Sequence, residues 1–335
     1  MFGLELSFIW AGIIAFAVLV YVILDGFDLG VGILFPVTTD EEERDVMMNS
    51  VAPVWDGNET WLVMGGGGLF AVFPLAYAVV MPALYMPITL MLLALVFRGV
   101  AFEYRWRTER WKRVWDMAFA GGSLVAAFTQ GIALGALVQG IEVADRAYAG
   151  GWWDWLTPFS ILTGIALTVG YALLGATWLV MKLEGRIQRH MQRLALPLAV
   201  GTVCFMGAVS FATPFLNEEY FHRWFDWPNV LFVSVVPTLV AICIGGLFYR
   251  LRRMNDHLPF LSAMGMFILG FIGIGISFYP NIVPPSLTIV EAAAPDSSLK
   301  FALVGTVILI PLILAYTAYA YWVFRGKIDP AEGYH

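Results

Sequence analysis

The sequence predicts an all-α polytopic membrane protein of about nine transmembrane helices, on three observations. Of its 335 residues, 60% are hydrophobic and 13% charged, against the ~25% charged residues of soluble domains, and the mean hydropathy is +0.77. Uncharged runs long enough to cross a bilayer core, about 20 residues each, recur down the whole chain. The 19 Lys and Arg residues are bunched in alternate connecting segments. The formal net charge of -6 gives no basis for nucleic-acid binding.

The first span is expected over about 8–35, uncharged from Phe8 to Leu24 and then holding Asp25 and Asp28. The stretch before it has no basic n-region, carries Glu5 and leads into an apolar run too long for a signal peptide, so it reads as a retained span. Spans two and three are expected over about 50–73 and 80–103. No charge occurs from Trp61 through Phe97, and Pro74, Pro82 and Pro87 suggest a short hairpin near 74–80. The remaining spans are expected at about 116–141, 157–182, 194–216, 228–250, 258–280 and 301–325. Every linker is short, with no low-complexity segment and no repeat, so residues 1–335 read as one integral membrane domain. Cys204 and Cys243 stand singly in apolar runs and are expected to be buried, reduced, space-filling thiols.

Segments following spans one, three, five, seven and nine hold all the Lys and Arg except Arg146, Arg223 and Lys300. The positive-inside rule then puts the N-terminus outside and the C-terminus in the cytoplasm. The outer loops, such as Gly151-Trp-Trp-Asp-Trp155 and Phe221-His-Arg-Trp-Phe-Asp-Trp227, carry aromatics suited to anchoring at the membrane interface rather than to stacking on a ligand. The proline-rich run from Tyr279 to Ile289 is expected to lie flat over the outer surface.

Candidate chemistry lies where charge intrudes on these spans, because a carboxylate in the hydrocarbon core costs about 2.5–3.5 kcal/mol on insertion scales. Asp25 and Asp28 form one i,i+3 pair, and Asp56 and Glu59 a second, so each pair shares a helix face. Counting from the outer ends at 1.5 Å per residue puts Asp25 roughly 25 Å and Arg98 roughly 27 Å deep, near the level of Asp56 and Glu59 on the cytoplasmic side. Burial and a nearby guanidinium act oppositely on a carboxyl's charge, and that competition is how a proton relay is tuned. A buried Asp–Arg tie pinning helices together is the plainer alternative. Trp55 and Asn58 adjoin the acids.

Gly65-Gly-Gly-Gly68 lacks the Gly-Lys-Ser/Thr ending of a phosphate loop and reads as close helix packing or a local break. Gly121-Gly122, Gly170 and Gly175 read as packing too. His190, His222, His257 and His335 all fall at span ends, loops or the terminus, so no haem or metal site is expected in this chain. The 14 Met residues read as packing.

Several long motifs carry a resemblance. Pro53-Val-Trp-Asp-Gly-Asn-Glu-Thr-Trp-Leu-Val63 with its glycine run, Asp25-Gly-Phe-Asp-Leu-Gly30, Phe97-Arg-Gly-Val-Ala-Phe-Glu103, and Pro284-Pro-Ser-Leu-Thr-Ile289 followed by Ala292-Ala-Ala-Pro295 resemble subunit II of the cytochrome bd-type quinol oxidases. The length is similar to the cyanide-insensitive branch. The resemblance implies two four-helix bundles plus a peripheral helix, in a bacterial inner membrane. It also implies a partner subunit I holding haem b558, haem b595 and haem d, with quinol as substrate, O2 reduced to water and protons drawn from the cytoplasm. A small accessory single-span subunit and a structural quinone occur in parts of that family. Asp25, Asp56 and Arg98 match positions in or near a hydrophilic proton route at the subunit interface; Asp28, Glu59 and Trp55 are added from spacing and adjacency. A secondary transporter with an intramembrane acidic relay, and a purely structural assembly subunit, are the alternatives.

Overall fold

The structure, a computed structural model, describes residues 5–253 and 256–328. Its helices in chain order are α1 (Leu6–Leu34), α2 (Glu41–Asn49), α3 (Trp55–Val72), α4 (Pro74–Ala83), α5 (Tyr85–Arg105), α6 (Lys112–Gln139), α7 (Pro158–Lys182), α8 (Gly185–Ala212), α9 (Glu218–Phe225), α10 (Asn229–Val233), α11 (Val235–Arg252), α12 (Leu258–Phe278), α13 (Ile289–Ala292) and α14 (Asp296–Val323). The only strands among the described residues pair in two short hairpins, β1 (Val143–Ala144) with β2 (Ala147–Tyr148) and β3 (Asn281–Val283) with β4 (Leu287–Thr288). The chain is an all-α polytopic membrane protein.

Among the described residues, eight segments are long and apolar enough to cross a membrane: α1, α5, α6, α7, α8, α10 with α11, α12 and α14. The expected second span is α3, an 18-residue helix that falls outside that group because Asp56, Asn58 and Glu59 lie in its first turns. The expected hairpin near 74–80 is instead a helix, α4. At Phe73 the backbone leaves helical geometry (φ -124, ψ 62), as a residue before proline prefers, and Pro74 restarts the helix at its first position.

Two amphipathic pieces were not anticipated. Helix α2 precedes α3, started by the Asp40 side chain accepting from the Glu42 amide and by Glu41, Glu42 and Glu43 in the first turn, which suit a helix N-terminus. Helix α9 follows α8. The proline-rich run is more ordered than a plain loop. It folds as the β3–β4 hairpin and α13, burying Val283, Leu287, Ile289 and Ala292 in one cluster with Trp10, Val72 and Phe73.

Helix α1 packs along α3, α6 and α7, and α5 along α6. Helix α7 packs along α6, α8 and α12, and α11 along α8 and α12. Two groups of four long helices therefore meet through α1, α6 and α7, and α14, which buries only Leu299, touches α1 and α3 from outside. The α1–α7 crossing is glycine-dependent: a Cβ on Gly30 would lie 1.9 Å from the Tyr171 carbonyl oxygen, and one on Gly175 2.3 Å from the Gly30 carbonyl carbon. Such backbone approach is what small residues provide between membrane helices. In the glycine run, Gly65 and Gly68 face Val18 and Ile14 of α1, while Gly66 and Gly67 face open space and α3 continues unbroken. Gly122 and Gly170 pack closely, but Gly121 faces open space too.

Cys204 and Cys243 are free thiols. Cys204 is exposed rather than buried, since it lies on an apolar helix face that a bilayer would cover, where a thiol behaves as a small hydrophobe.

Candidate functional site

Asp25 and Asp28 lie on the last third of α1, Glu59 and Asn58 on the first turns of α3, and Arg98 in the second half of α5. Packing of α3 on α1, with α5 and α6 alongside, draws these turns together. The Arg98 guanidinium is fully buried, as are Asp25 and Asp28. Its Nη1 lies 2.9 Å from Asp25 Oδ1 and 3.6 Å from Glu59 Oε2, and its Nη2 3.8 Å from Asp28 Oδ2. Glu59 keeps 27% of its side chain exposed and is the site's open edge.

Neutral groups complete the cluster. Asn58 Nδ2 donates to Asp28 Oδ2 (2.8 Å) and to the Leu24 carbonyl (3.4 Å). The Tyr321 hydroxyl on α14 donates to Asn58 Oδ1 (2.9 Å), so the peripheral helix reaches the site. Trp55 stacks flat on Phe102, with ring centres 4.6 Å apart and planes 4° apart, and Arg98 lies 5.8 Å from the Phe102 ring. Arg98 Nη1 and Asp25 Oδ1 meet at hydrogen-bond distance in a fully buried ion pair. Three acids thus face one base, so the charges of the cluster do not balance when all three carboxyls are ionised.

Asp56 stands apart from this group. It is exposed on the first turn of α3, and no ion pair among the described residues includes it. Asn58, adjacent to Glu59, is the buried one.

Sequence reasoning missed three sets of residues. Tyr321 carried no signal beyond its position near the inner end of the last span. The buried chain in which Tyr171 donates to Gln130 Oε1 (3.0 Å), and Gln130 to the Tyr21 hydroxyl (2.6 Å), joins α7, α6 and α1 one turn from Asp25. Seven residues along α5 from Arg98, about 10 Å, Arg105 pairs with Asp116 and Asp45 (2.6 Å each), and Arg44 with Asp116 (2.9 Å). Lys112 joins that second group through Asp45 (3.5 Å) and Glu41, and its hydrogen bond holds the Glu41 carboxyl below its usual range. Arg105 was visible as a basic residue, but its burial depends on α2 folding over it.

No three His, Cys, Asp or Glu residues converge as metal ligands among the described residues. His190 is half-buried near the start of α8, His222 pairs with Asp226 (3.0 Å), His257 is exposed before α12, and His335 lies outside the described residues.

A profile of the family described as cytochrome bd terminal oxidase subunit II matches residues 6–324. The chain belongs to that family. Among relatives of cytochrome bd subunit II, the chain is 31% identical to the cytochrome bd-I ubiquinol oxidase subunit 2 of Escherichia coli strain K12, covering 98% of this chain and 96% of that one. It is 30% identical to the cytochrome bd ubiquinol oxidase subunit 2 of Bacillus subtilis, covering 97% of each. In fold it is similar to a chain of the bd oxidase from Geobacillus thermodenitrificans, with a TM-score of 0.77 at 17% identity over 95% of this chain and 98% of that chain.

Proposed function

We propose that this chain is the haem-free subunit II of a quinol:O2 oxidoreductase in a bacterial inner membrane, and that helices α1, α3 and α5 help carry protons from the cytoplasm toward O2 reduction in a haem-bearing subunit I. The observation that carries the proton role is the site's imbalance: three carboxyls around one buried guanidinium, with Glu59 open at its edge. Such a group exchanges protons without leaving an isolated charge in the membrane. Asp56, exposed less than one turn from Glu59, would collect protons at the mouth. Absence of haem from this chain is supported by the position of the described histidines, none of which is buried. Haems b558, b595 and d belong in the partner, with quinol as the reductant.

In this reading α3 completes a ninth span, the N-terminus is periplasmic and the C-terminus cytoplasmic. The distribution of Lys and Arg supports that orientation. Replacing Glu59 by Gln in the assembled complex tests the proton role. Quinol oxidase turnover should fall at least about tenfold while haem content per complex stays normal; full turnover refutes it.

A second reading, a purely structural subunit, draws support from the way Arg98 ties three helices together. It predicts that turnover and haem content fall in proportion.

A further inference from the structure

A cavity of ≈ 610 Å³ opens between the end of α1 and the start of α6, apart from the Asp25–Arg98 site. Arg113, Met117, Gly121 and Leu124 line it at spacings of four, four and three residues, which places them on one stripe of α6. The stripe is about 16 Å long at 1.5 Å per residue. Met117 is 65% exposed and Leu124 46%, and nothing lies within 4 Å of a Cβ built on Gly121, so the stripe is an open, narrow apolar trough.

Its polar end leaves one arginine without a partner among the described residues. Arg44, Arg105, Lys112 and Arg113 gather there against Glu41, Asp45 and Asp116. Asp116 is taken by Arg105 Nε (2.6 Å) and Arg44 Nη1 (2.9 Å), Asp45 by Arg105 and Lys112, and Glu41 by Lys112. Arg113 has no ion pair or hydrogen bond among the described residues and is exposed at the rim. Arg44 spends Nη1 on Asp116 and Nε on the Thr38 carbonyl (2.9 Å), keeps 21% of its side chain exposed, and also lines the groove.

We propose that this groove binds an anionic phospholipid, its phosphate on Arg113 and Arg44 and one acyl chain along Met117, Gly121 and Leu124. A phosphodiester supplies a negative charge for the unpartnered Arg113, and guanidinium groups hold phosphate oxygens well. The hydrocarbon chain covers the trough, which a free phosphate would leave bare. In the orientation proposed above the lipid belongs to the inner leaflet; its binding does not depend on the proton role.

The test uses the complex of this chain with its partner, purified as wild type, Arg113→Ala and Gly121→Leu, with lipid adducts counted by native mass spectrometry through a series of detergent washes. Wild type should hold one phosphatidylglycerol through washes that strip it at least about fivefold more readily from Arg113→Ala. Gly121→Leu leaves both arginines in place and adds its side chain in open space, so it blocks only the trough; it too should lose the adduct. Equal retention by all three proteins overturns the proposal, as does retention of zwitterionic phosphatidylethanolamine in place of the anionic lipid.

Discussion

Replacing Arg98 by Met should expose how the buried cluster is held. The guanidinium is fully buried and meets Asp25 at 2.9 Å, Glu59 at 3.6 Å and Asp28 at 3.8 Å. At an effective dielectric of about 20 these separations correspond to gross attractions of roughly 6, 5 and 4 kcal/mol, most of which repays the cost of taking the charges out of water. Removing one partner of a buried pair leaves the others uncompensated and costs about 3–5 kcal/mol, a hundred- to several-thousand-fold in the folding equilibrium. Arg98→Met should therefore give little assembled complex, read as haem absorbance per unit of membrane protein. Adding Asp25→Asn removes the nearest orphaned charge, while Asp28 keeps its Asn58 bond and Glu59 its outlet to solvent. The double variant should regain much of the assembly. Turnover per haem then separates the two roles: it stays low if Asp25 passes protons and returns in full if the pair only ties helices. Wild-type yield and thermal stability in Arg98→Met alone would refute the reasoning about buried charge.

Other expectations follow from the packing and the polar contacts. Gly30→Ala places a methyl 1.9 Å from a carbonyl oxygen where ordinary contact begins at 3.4 Å, so α1 must move from α7 by about 1.5 Å, at a cost of at least about 1–3 kcal/mol and a lowered unfolding temperature of the complex. Gly121→Ala, in open space, should be neutral or slightly stabilising by the same measurement, by up to about 1 kcal/mol. Lys182→Met removes the amine that donates to the Phe324 (2.5 Å) and Gly326 (3.3 Å) carbonyls, and limited proteolysis should then cut faster after α14. The Glu41 carboxyl is held below its ordinary 4.5 by its hydrogen bond from Lys112. With a depressed folded-state value, the α2–α6 tie is present above 4.5 and is lost as pH falls through the lower folded value, so α2 amides should exchange faster only in strong acid. Unchanged exchange on acidification would mean that Glu41 does not hold α2.

The long apolar runs made most of the fold legible, because a helix that must satisfy its own backbone in lipid leaves an uncharged stretch of fixed minimum length. Such runs mark the apolar length and not the helix. Helix α8 begins at Gly185, well before the expected 194, since Arg186, Arg189 and Arg193 interrupt the uncharged run without interrupting the helix. Helices α2 and α9 left no such run, being short and half polar. The hairpin and α13 of the proline-rich run were not legible for a related reason. Its valine, leucine and isoleucine are too few to read as a span, yet they suffice to fill the end of a bundle once the prolines fold them back.

The site was legible in depth and less so in rotation. Counting residues from the span ends brought Asp25 and Arg98 to one level because rise per residue hardly varies between helices. Which side of α3 faces α1 is decided by packing that no count of residues contains. The i,i+3 spacing of Asp56 and Glu59 places them about 60° apart around the axis, close enough to be assigned one face. In the fold the contact with α1 is centred on Asn58, Trp61 and Gly65, so Glu59 lies on its flank, where it reaches Arg98, and Asp56 on the far side of the helix. Gly65 could have been the clue, since a Cβ there would meet Val18 at 3.1 Å, whereas Gly66 and Gly67 are clear of every neighbour. Helix α3 therefore divides its acids between two environments. Glu59 joins the buried base, and Asp56, a further 60° round the axis, stays exposed.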